Sequence, residues 1–253
     1  MTQKTFQLPH FSQLSDWLDV LAISAWGILL LNYWLTGKLG LLIHPRYFGL
    51  SVVTGIGLLI IGALGGARLL RARSVTQVQH FTLFPPGWMS GLLLAAACLG
   101  LLVSPRPFAS QTALQRGVAE SLTLTRMQPQ AFRADSRPEE RSLIDWVRTL
   151  AVYPEPDAYI GQQVKVQGFV IHSPELPEQY LTLARFAITC CAADAYPVGL
   201  PVKLTGSRQA YPPDTWLEIE GQMTTENLAH KRQLTIQAKV LQPIPEPKNP
   251  YAY

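Results

Sequence analysis

The sequence has few charged residues for its length, and they are unevenly distributed. Charged side chains make up 15% of the 253 residues, against about 25% in an average soluble domain. The deficit falls in the first hundred residues, which predicts a membrane part followed by a water-soluble part. The net charge of +4 comes from scattered basic residues rather than a basic stripe, so nucleic acid is not an expected partner.

Cysteines and catalytic motifs are also scarce. The three cysteines, Cys98, Cys190 and Cys191, allow at most one intrachain disulfide and exclude a disulfide-stapled scaffold. The sequence has no Ser-His-Asp pattern, no phosphate-binding glycine loop and no HExxH helix. No nucleophile or general base can be named, and we expect a protein that is not an enzyme.

Three apolar runs cover residues 18–35, 47–67 and 88–104. The first two approach the ~20 residues that cross a bilayer core, and the second contains no charged residue. The third is shorter but also uncharged, and it stops before a proline. These runs predict a transmembrane region over residues 1–106 with two or three spanning helices, so the lipid bilayer is an expected partner.

Basic residues near the apolar runs indicate how the predicted helices are oriented across the membrane. The loop after the second run contains Arg68, Arg71 and Arg73, whereas the preceding loop contains Lys38 and Arg46. Because basic loops favour the cytoplasmic side, three crossings of the inner membrane place the soluble domain outside the cytoplasm. Two crossings return it to the cytoplasm. We expect a multi-pass inner-membrane protein with an extracytoplasmic soluble domain.

The chain after the apolar runs is divided by composition into four parts. Residues 107–141 are polar and irregular and predict a linker, residues 142–150 a short amphipathic helix, residues 151–243 a β-domain, and residues 244–253 a proline-rich tail. Ser136 and Glu139 have the spacing of a capping box. Downstream, apolar residues at helical spacing predict a buried face: Leu143, Ile144, Trp146, Val147 and Leu150.

Alternation of apolar and polar residues marks five short segments in the β-domain. They cover residues 164–170, 183–191, 198–204, 216–223 and 234–241. Gly168 and Gly221 interrupt two of these segments, and each predicts a bulge or a sharp coil of its strand. The pattern predicts an all-β C-terminal domain, built as an OB-like five-stranded barrel.

The segment RFAITCCAADA, residues 185–195, carries the most specific chemistry. Neighbours on a regular strand point to opposite faces, so Cys190 and Cys191 reach one ion only if the strand breaks there. A broken strand would let the pair bind a soft or borderline ion such as Zn²⁺ or Cu(I). The possible completing ligands are Asp194, His172 and His230.

Two other interpretations of the cysteine pair stay open at this point. The two sulfurs could form a vicinal disulfide and act in redox chemistry in an oxidising compartment. Alternatively, Cys190 is a small core residue and Cys191 an incidental neighbour, since free cysteine is commonly buried. The spacing alone does not decide among a metal site, a redox pair and simple packing.

Several segments resemble the YcgQ-like family of bacterial membrane proteins. The resemblance is carried by GKLGLLIHPRY, GQQVKVQGFV, RFAITCCAADA and DTWLEIEGQM. Members of that family are regarded as subunits that work beside a larger polytopic permease, one similar to exporters of organic arsenicals. The resemblance implies a non-enzymatic accessory subunit whose β-domain presents Cys190, Cys191 and Asp194 to a thiophilic metal or metalloid. The alternative functions are a membrane-anchored OB-like binding module for a protein or an envelope polymer, and a vicinal-cysteine redox protein.

Overall fold

The structure is a computed structural model that describes residues 9–71, 87–118 and 137–253. Contacts within the chain divide it into two compact units, residues 1–105 and residues 106–253. The first unit is helical, and the second contains a β-sheet with two short α-helices. This division confirms a helical N-terminal region followed by a sheet-containing C-terminal region.

The first unit contains three helices, α1 (Pro9–Leu35), α2 (Phe48–Arg71) and α3 (Trp88–Leu102). By length and composition, α1 from Leu14 and α2 are apolar enough to cross a membrane. Helix α3 has 15 residues and is therefore only about 22 Å long. Two membrane-length helices are thus present in the described residues, and α3 is a shorter apolar helix.

Small residues bring α1 and α2 into close contact. A Cβ atom added at Gly27 would lie 2.9 Å from the Gly55 carbonyl oxygen, and Gly62 faces the Ser24 side chain. The order of these contacts makes the two helices antiparallel. Close backbone approach matters in lipid, because helix association there depends on van der Waals packing rather than on the hydrophobic effect.

Polar side chains connect α1 and the loop after it to α3. The Trp26 indole N–H donates to the Leu93 carbonyl over 3.0 Å, and Lys38 Nζ donates to Ser104 Oγ over 2.8 Å. Four such contacts run in the same order along both segments: Asp19 with Ser90, Trp26 with Leu93, Tyr33 with Gly100, and Lys38 with Ser104. Helices α1 and α3 are therefore parallel, and residues 90–104 extend over the same length of the bundle as residues 19–38.

The second unit, residues 106–253, is named the soluble unit after the sequence prediction. It begins with α4 (Ser110–Arg116), and α5 (Leu143–Val152) precedes the strands. Ser136, the first residue of the predicted capping box, lies outside the described residues. The observed box is six residues later: Ser142 Oγ accepts from the Asp145 N–H over 3.3 Å, and the Asp145 carboxylate accepts from the Ser142 N–H over 3.2 Å. The predicted apolar face is confirmed, and it is buried at Leu143, Ile144, Trp146 and Val147.

Six strands form one sheet in the soluble unit. Their bounds are β1 Gln163–Ile171, β2 Tyr180–Ala187, β3 Tyr196–Lys203, β4 Trp216–Leu228, β5 Lys231–Pro243 and β6 Tyr251–Ala252. The order is β1-β4-β5-β3-β2-β6, with an additional pairing of β1 and β2. All five predicted segments overlap strands. The predicted number of strands is wrong by one, because the two-residue β6 in the proline-rich tail is too short to show alternation.

The two predicted glycine positions lie where strands change direction or register. A bulge falls between Glu220 and Gly221 in the β4–β5 ladder, as predicted. At Gly168, an added Cβ would lie 2.6 Å from the Ala184 carbonyl oxygen. This residue immediately precedes Phe169, where β1 passes from pairing with β4 to pairing with β2. Only glycine permits these close backbone contacts.

We predict that Gly221→Ala destabilises the soluble unit by about 1–3 kcal/mol, because the added methyl group would overlap the Gln237 carbonyl. The measurement is the urea midpoint for proteolytic cleavage within residues 106–253 of the detergent-solubilised chain. Gly206→Ala is the matched control, since a Cβ at Gly206 has no neighbour within 4 Å. Equal midpoints for the two variants would contradict the close contact at Gly221.

Candidate metal site at the cysteine loop

The candidate site lies in the cysteine loop, residues 188–195, which connects β2 to β3. The β2–β3 ladder ends at the pair Ala187 and Tyr196, so the strand stops before the two cysteines. A short 3-10 turn, Ala192–Asp194, follows them. The break in the strand that the sequence suggested is therefore present.

Asp194 organises the backbone of both cysteines. Its carboxylate accepts the Cys190 N–H at Oδ2 over 2.9 Å and the Cys191 N–H at Oδ1 over 3.2 Å. The Asp194 N–H in turn donates to the Cys191 carbonyl over 3.0 Å. These bonds fold the loop so that the two sulfurs lie 3.7 Å apart, and the ligand atoms of all three residues lie within 4.8 Å of one another.

Distant parts of the chain hold both ends of the cysteine loop. Ile188 is buried, and its N–H donates to the Ala252 carbonyl in β6 over 3.0 Å. Ala195 is also buried, and its carbonyl accepts from Arg116 at the end of α4. The Arg116 guanidinium also lies 4.8 Å from the centre of the Phe108 ring. Neither anchor was predicted, because no local pattern in the sequence marks a contact between such distant segments.

The cysteines are accessible to solvent. Cys190 is exposed, and Cys191 and Asp194 are half-buried. The interpretation of Cys190 as a core residue is therefore wrong, because the strand ends before it could enter the sheet core.

Electrostatics hold the Cys190 thiol in its protonated form. Hydrogen bonding to Asp194 and to Cys191 raises the pKa of the Cys190 thiol to about 11, since a negative charge already lies beside it. For Asp194, partial burial raises the pKa of the carboxyl, but hydrogen bonds from Cys190, Thr189 and the loop backbone outweigh burial and leave the pKa below its usual value. The loop therefore combines an ionised carboxylate with a thiol that ionises only at high pH or on binding a cation.

The spacing of the sulfurs suits a tetrahedral ion. With Zn–S bonds of about 2.3 Å, two thiolates on one Zn²⁺ lie about 3.8 Å apart, close to the 3.7 Å between the two Sγ atoms. Two thiolates and one carboxylate form a mixed soft and hard ligand set that suits Zn²⁺ and similar borderline ions. Within the described ranges, this is the one cluster of three cysteine, histidine or acidic side chains close enough to share an ion.

The two histidines proposed as completing ligands lie elsewhere. His172 Nε2 is 2.8 Å from the Tyr211 carbonyl oxygen, and His230 has φ 63° in the turn between β4 and β5. Neither belongs to the cluster at the cysteine loop. Asp194 alone of the three candidates lies beside the cysteines.

A vicinal disulfide fits this geometry poorly. The Sγ atoms are separated by 3.7 Å, whereas a disulfide bond is about 2.05 Å long. The Cα atoms of adjacent residues lie about 3.8 Å apart across a trans peptide, below the usual range of about 4.4–6.8 Å for disulfides. The thiols are free, and the raised pKa of Cys190 makes it a weak nucleophile at neutral pH.

Comparison with known families places the loop within a recognised domain. Residues 139–253 match the DUF1980 C-terminal domain. The DUF1980 match contains α5, all six strands and the cysteine loop, and it is consistent with the resemblance to the YcgQ-like family. It begins after α4, although α4 belongs to the same compact unit. No curated protein matches the chain.

We predict that Asp194→Asn lowers the pKa of the Cys190 thiol, because it removes the negative charge that disfavours the thiolate. Cys190 should then react faster with iodoacetamide at pH 8, with the alkylated residue identified by mass spectrometry. Asp157→Asn is the control, since that exposed carboxylate pairs with Arg232 instead. An unchanged or slower reaction of Cys190 in Asp194→Asn would contradict this account of the loop.

Proposed function

We propose that the soluble unit binds a thiophilic metal or metalloid ion through Cys190, Cys191 and Asp194. The observation that supports this most directly is the convergence of their ligand atoms within 4.8 Å on an exposed loop. Ions of this class bind thiolates strongly, and the neighbouring carboxylate adds negative charge. The function is binding and transfer of the ion, without catalysis.

The ligand set favours an ion that can be exchanged. Three protein ligands leave one position of a tetrahedral ion open, whereas structural zinc sites are closed by four. The exposure of Cys190 gives an acceptor access to that position. These features support capture and release of an ion rather than permanent structural binding.

The second part of the proposal is that the protein works as an accessory subunit of a larger polytopic permease. Two helices of membrane length supply the anchor, and the resemblance to YcgQ-like proteins supplies the partner. The DUF1980 match agrees with that resemblance. In this role the soluble unit hands a thiophilic solute to or from the permease.

We also propose that α3 is a third crossing of the inner membrane. Helix α3 contributes about 22 Å. Val103, which is extended, and Ser104 after it add at most about 3.3 Å each, so the segment approaches the ~30 Å hydrocarbon core. The parallel contacts with α1, including Trp26 with Leu93, support this. With Arg68 and Arg71, in the last turn of α2, at the cytoplasmic side, the soluble unit is extracytoplasmic.

The strand pairings support an OB-like barrel for the soluble unit. In the series β1-β4-β5-β3-β2, each strand pairs with its neighbours, and the additional pairing of β1 with β2 joins the two ends of the series. Closure of this kind removes free strand edges. The cysteine loop connects two adjacent strands of the series.

We predict that the full chain in detergent binds Zn²⁺ at one site that depends on the cysteine pair. Replacing both Cys190 and Cys191 by Ser should weaken binding at least about 100-fold, because the thiolates are the strongest ligands. Isothermal titration calorimetry gives the affinity, and titration with arsenite under the same conditions tests a metalloid. Affinity should rise as pH is raised from 6 to 8, because binding displaces thiol protons.

Cys98→Ser is the matched control for the zinc titration, since Cys98 lies in α3 and not in the loop. It should bind Zn²⁺ and arsenite as the unmodified chain does. If the double variant retains full affinity for both ions, the metal-binding function is wrong. That outcome would favour the binding-module alternative, in which the cysteines have no direct role.

We predict that the chain copurifies with a polytopic membrane protein when it is isolated in mild detergent after crosslinking. Mass spectrometry of the crosslinked species identifies the partner as a permease or as another class of protein. The double Cys→Ser variant should retain the partner, because the helices rather than the cysteine loop are expected to form the contact. Recovery of this chain alone, from cells that make it at natural levels, would contradict the subunit role.

A further inference from the structure

The α4 segment, residues 106–118, packs on the soluble unit and reaches the cysteine loop. Helix α4 contacts β1 and β3, and its residues Ser110 and Ala113 are buried. Val118 lies beside β3, since a Cβ added at Gly199 would be 3.1 Å from Val118 Cγ1. The segment precedes the matched domain in the sequence, and none of its residues is a proposed ion ligand.

Aromatic contacts hold the start of the α4 segment. The Phe108 N–H donates to Tyr251 Oη over 3.3 Å, and the Phe108 ring centre lies 5.3 Å from that of Phe186 in β2. Tyr251 belongs to β6, the strand that also accepts the Ile188 N–H at the first end of the cysteine loop. The α4 segment and the cysteine loop therefore share β6 as a support.

Asp214 contacts the N-terminus of α4 from the turn before β4. Its Oδ1 accepts the Ser110 N–H, and its own N–H donates to the Val170 carbonyl over 3.0 Å. The φ angle of Asp214 is 67°, in the left-handed region that residues other than glycine adopt at a cost. Glycine at this position would remove the acceptor for α4 and the backbone strain together.

The C-terminal end of α4 contacts the cysteine loop directly. Arg116 donates to the carbonyl of Ala195, the residue that follows the proposed ligand Asp194. The Arg116 guanidinium also lies 4.8 Å from the centre of the Phe108 ring. Because Arg116 and Phe108 belong to the same segment, release of that segment would remove the support of Ala195 as well.

Helix α4 depends on its docking for its helical form. It has seven residues, and isolated helices of this length are unstable in water. Leu114 on α4 remains exposed, so docking buries only part of the apolar surface of the helix. Short segments with few buried apolar side chains open locally at a low free energy. The α4 segment therefore has two states, one docked and helical and the other released and unfolded.

We propose that α4 docking and ion binding at the cysteine loop are coupled, so that release of α4 lowers the affinity of the loop for its ion. This inference rests on the proposed ion-binding function. Residues that support a metal ligand from outside fix its orientation. Linkage makes the coupling reciprocal, so a bound ion also favours docking. Residues 103–109 connect α3 to α4, and a partner that displaces α3 would therefore promote release of the ion.

Hydrogen exchange of the full chain in detergent, followed by mass spectrometry, tests the reciprocal effect. Zn²⁺ should slow amide exchange in residues 110–116 severalfold, because ion binding shifts the α4 segment toward its docked state. The double variant with Cys190→Ser and Cys191→Ser should show no such slowing. This measurement needs no substitution in α4, and a purely structural role for α4 would leave its exchange independent of the ion.

Isothermal titration with Zn²⁺ tests the effect of α4 on affinity. The double variant with Phe108→Ala and Asp214→Gly removes two supports of α4 without changing the cysteine loop. It should bind Zn²⁺ about tenfold more weakly, within the range found when residues behind metal ligands are removed. Asp214→Asn is the matched control and should keep full affinity, because asparagine retains an acceptor oxygen and tolerates the left-handed region.

Arg116→Gln should weaken Zn²⁺ binding by a similar factor, since it breaks the contact between α4 and the loop. Its matched control is Arg208→Gln. Arg208 also donates to two carbonyls, of Ser173 and Leu176, over 2.9 and 3.2 Å, but it lies outside both α4 and the cysteine loop. Its replacement should leave Zn²⁺ affinity unchanged.

The outcomes separate the coupling from the ion-binding function. If the unmodified chain binds Zn²⁺ through its cysteines, but α4 exchange ignores the ion and the α4 variants keep full affinity, the coupling alone is wrong. Equal losses of affinity in Arg116→Gln and Arg208→Gln would also overturn it. Absence of Zn²⁺ binding to the unmodified chain would overturn both proposals.

Discussion

The Asp194 carboxylate is the constraint on which the cysteine loop depends. Adjacent residues of an extended strand point their side chains to opposite faces, and two consecutive N–H groups accepted by one carboxylate replace that arrangement with a turn. The same charge raises the pKa of the Cys190 thiol. The group that brings the sulfurs together therefore also keeps one of them protonated, which protects the pair from oxidation at neutral pH. A cation that binds the sulfur reverses this effect, because it stabilises the thiolate that Asp194 disfavours.

The loop in turn depends on segments that lie far from it in sequence. Arg116 holds the Ala195 carbonyl from α4, and Ala252 holds the Ile188 N–H from β6. Residues that hold a metal ligand in place without touching the metal influence the orientation of that ligand and its affinity for an ion. The proposed site therefore depends on more of the chain than the matched domain, because α4 precedes residue 139 and still fixes one end of the loop. Removing α4 would leave the ligands in place but release one of the two anchors.

The sequence predicted those features that leave a local periodic signal. Alternation located five strands, and it matches the burial of β1 and β4, whereas β2 and β3 are buried at nearly every position. Helical spacing located the buried face around Trp146. The small residues after the cysteines permitted a strand break at that point but did not require one. Arg116 and β6 could not be foreseen, since an isolated arginine and a two-residue strand carry no periodicity. His172 and His230 were candidates by chemistry alone, and the fold places neither beside the cysteines. Chain order says little about which ligands converge on one point.

Asp194 has enough lone pairs to shape the loop and also to serve as the proposed ligand of an ion. An ionised carboxylate offers about four acceptor sites on two oxygens, and the loop backbone uses one on each. The remaining sites allow an oxygen to coordinate an ion without giving up either N–H bond. Ion binding then requires loss of thiol protons and small side-chain rotations, but no refolding of the loop. Folding of the domain has already ordered the loop, so ion binding loses little further conformational entropy. More of the interaction energy therefore remains for affinity. A loop that the carboxylate has already shaped would accordingly suit the proposed capture and release of an ion.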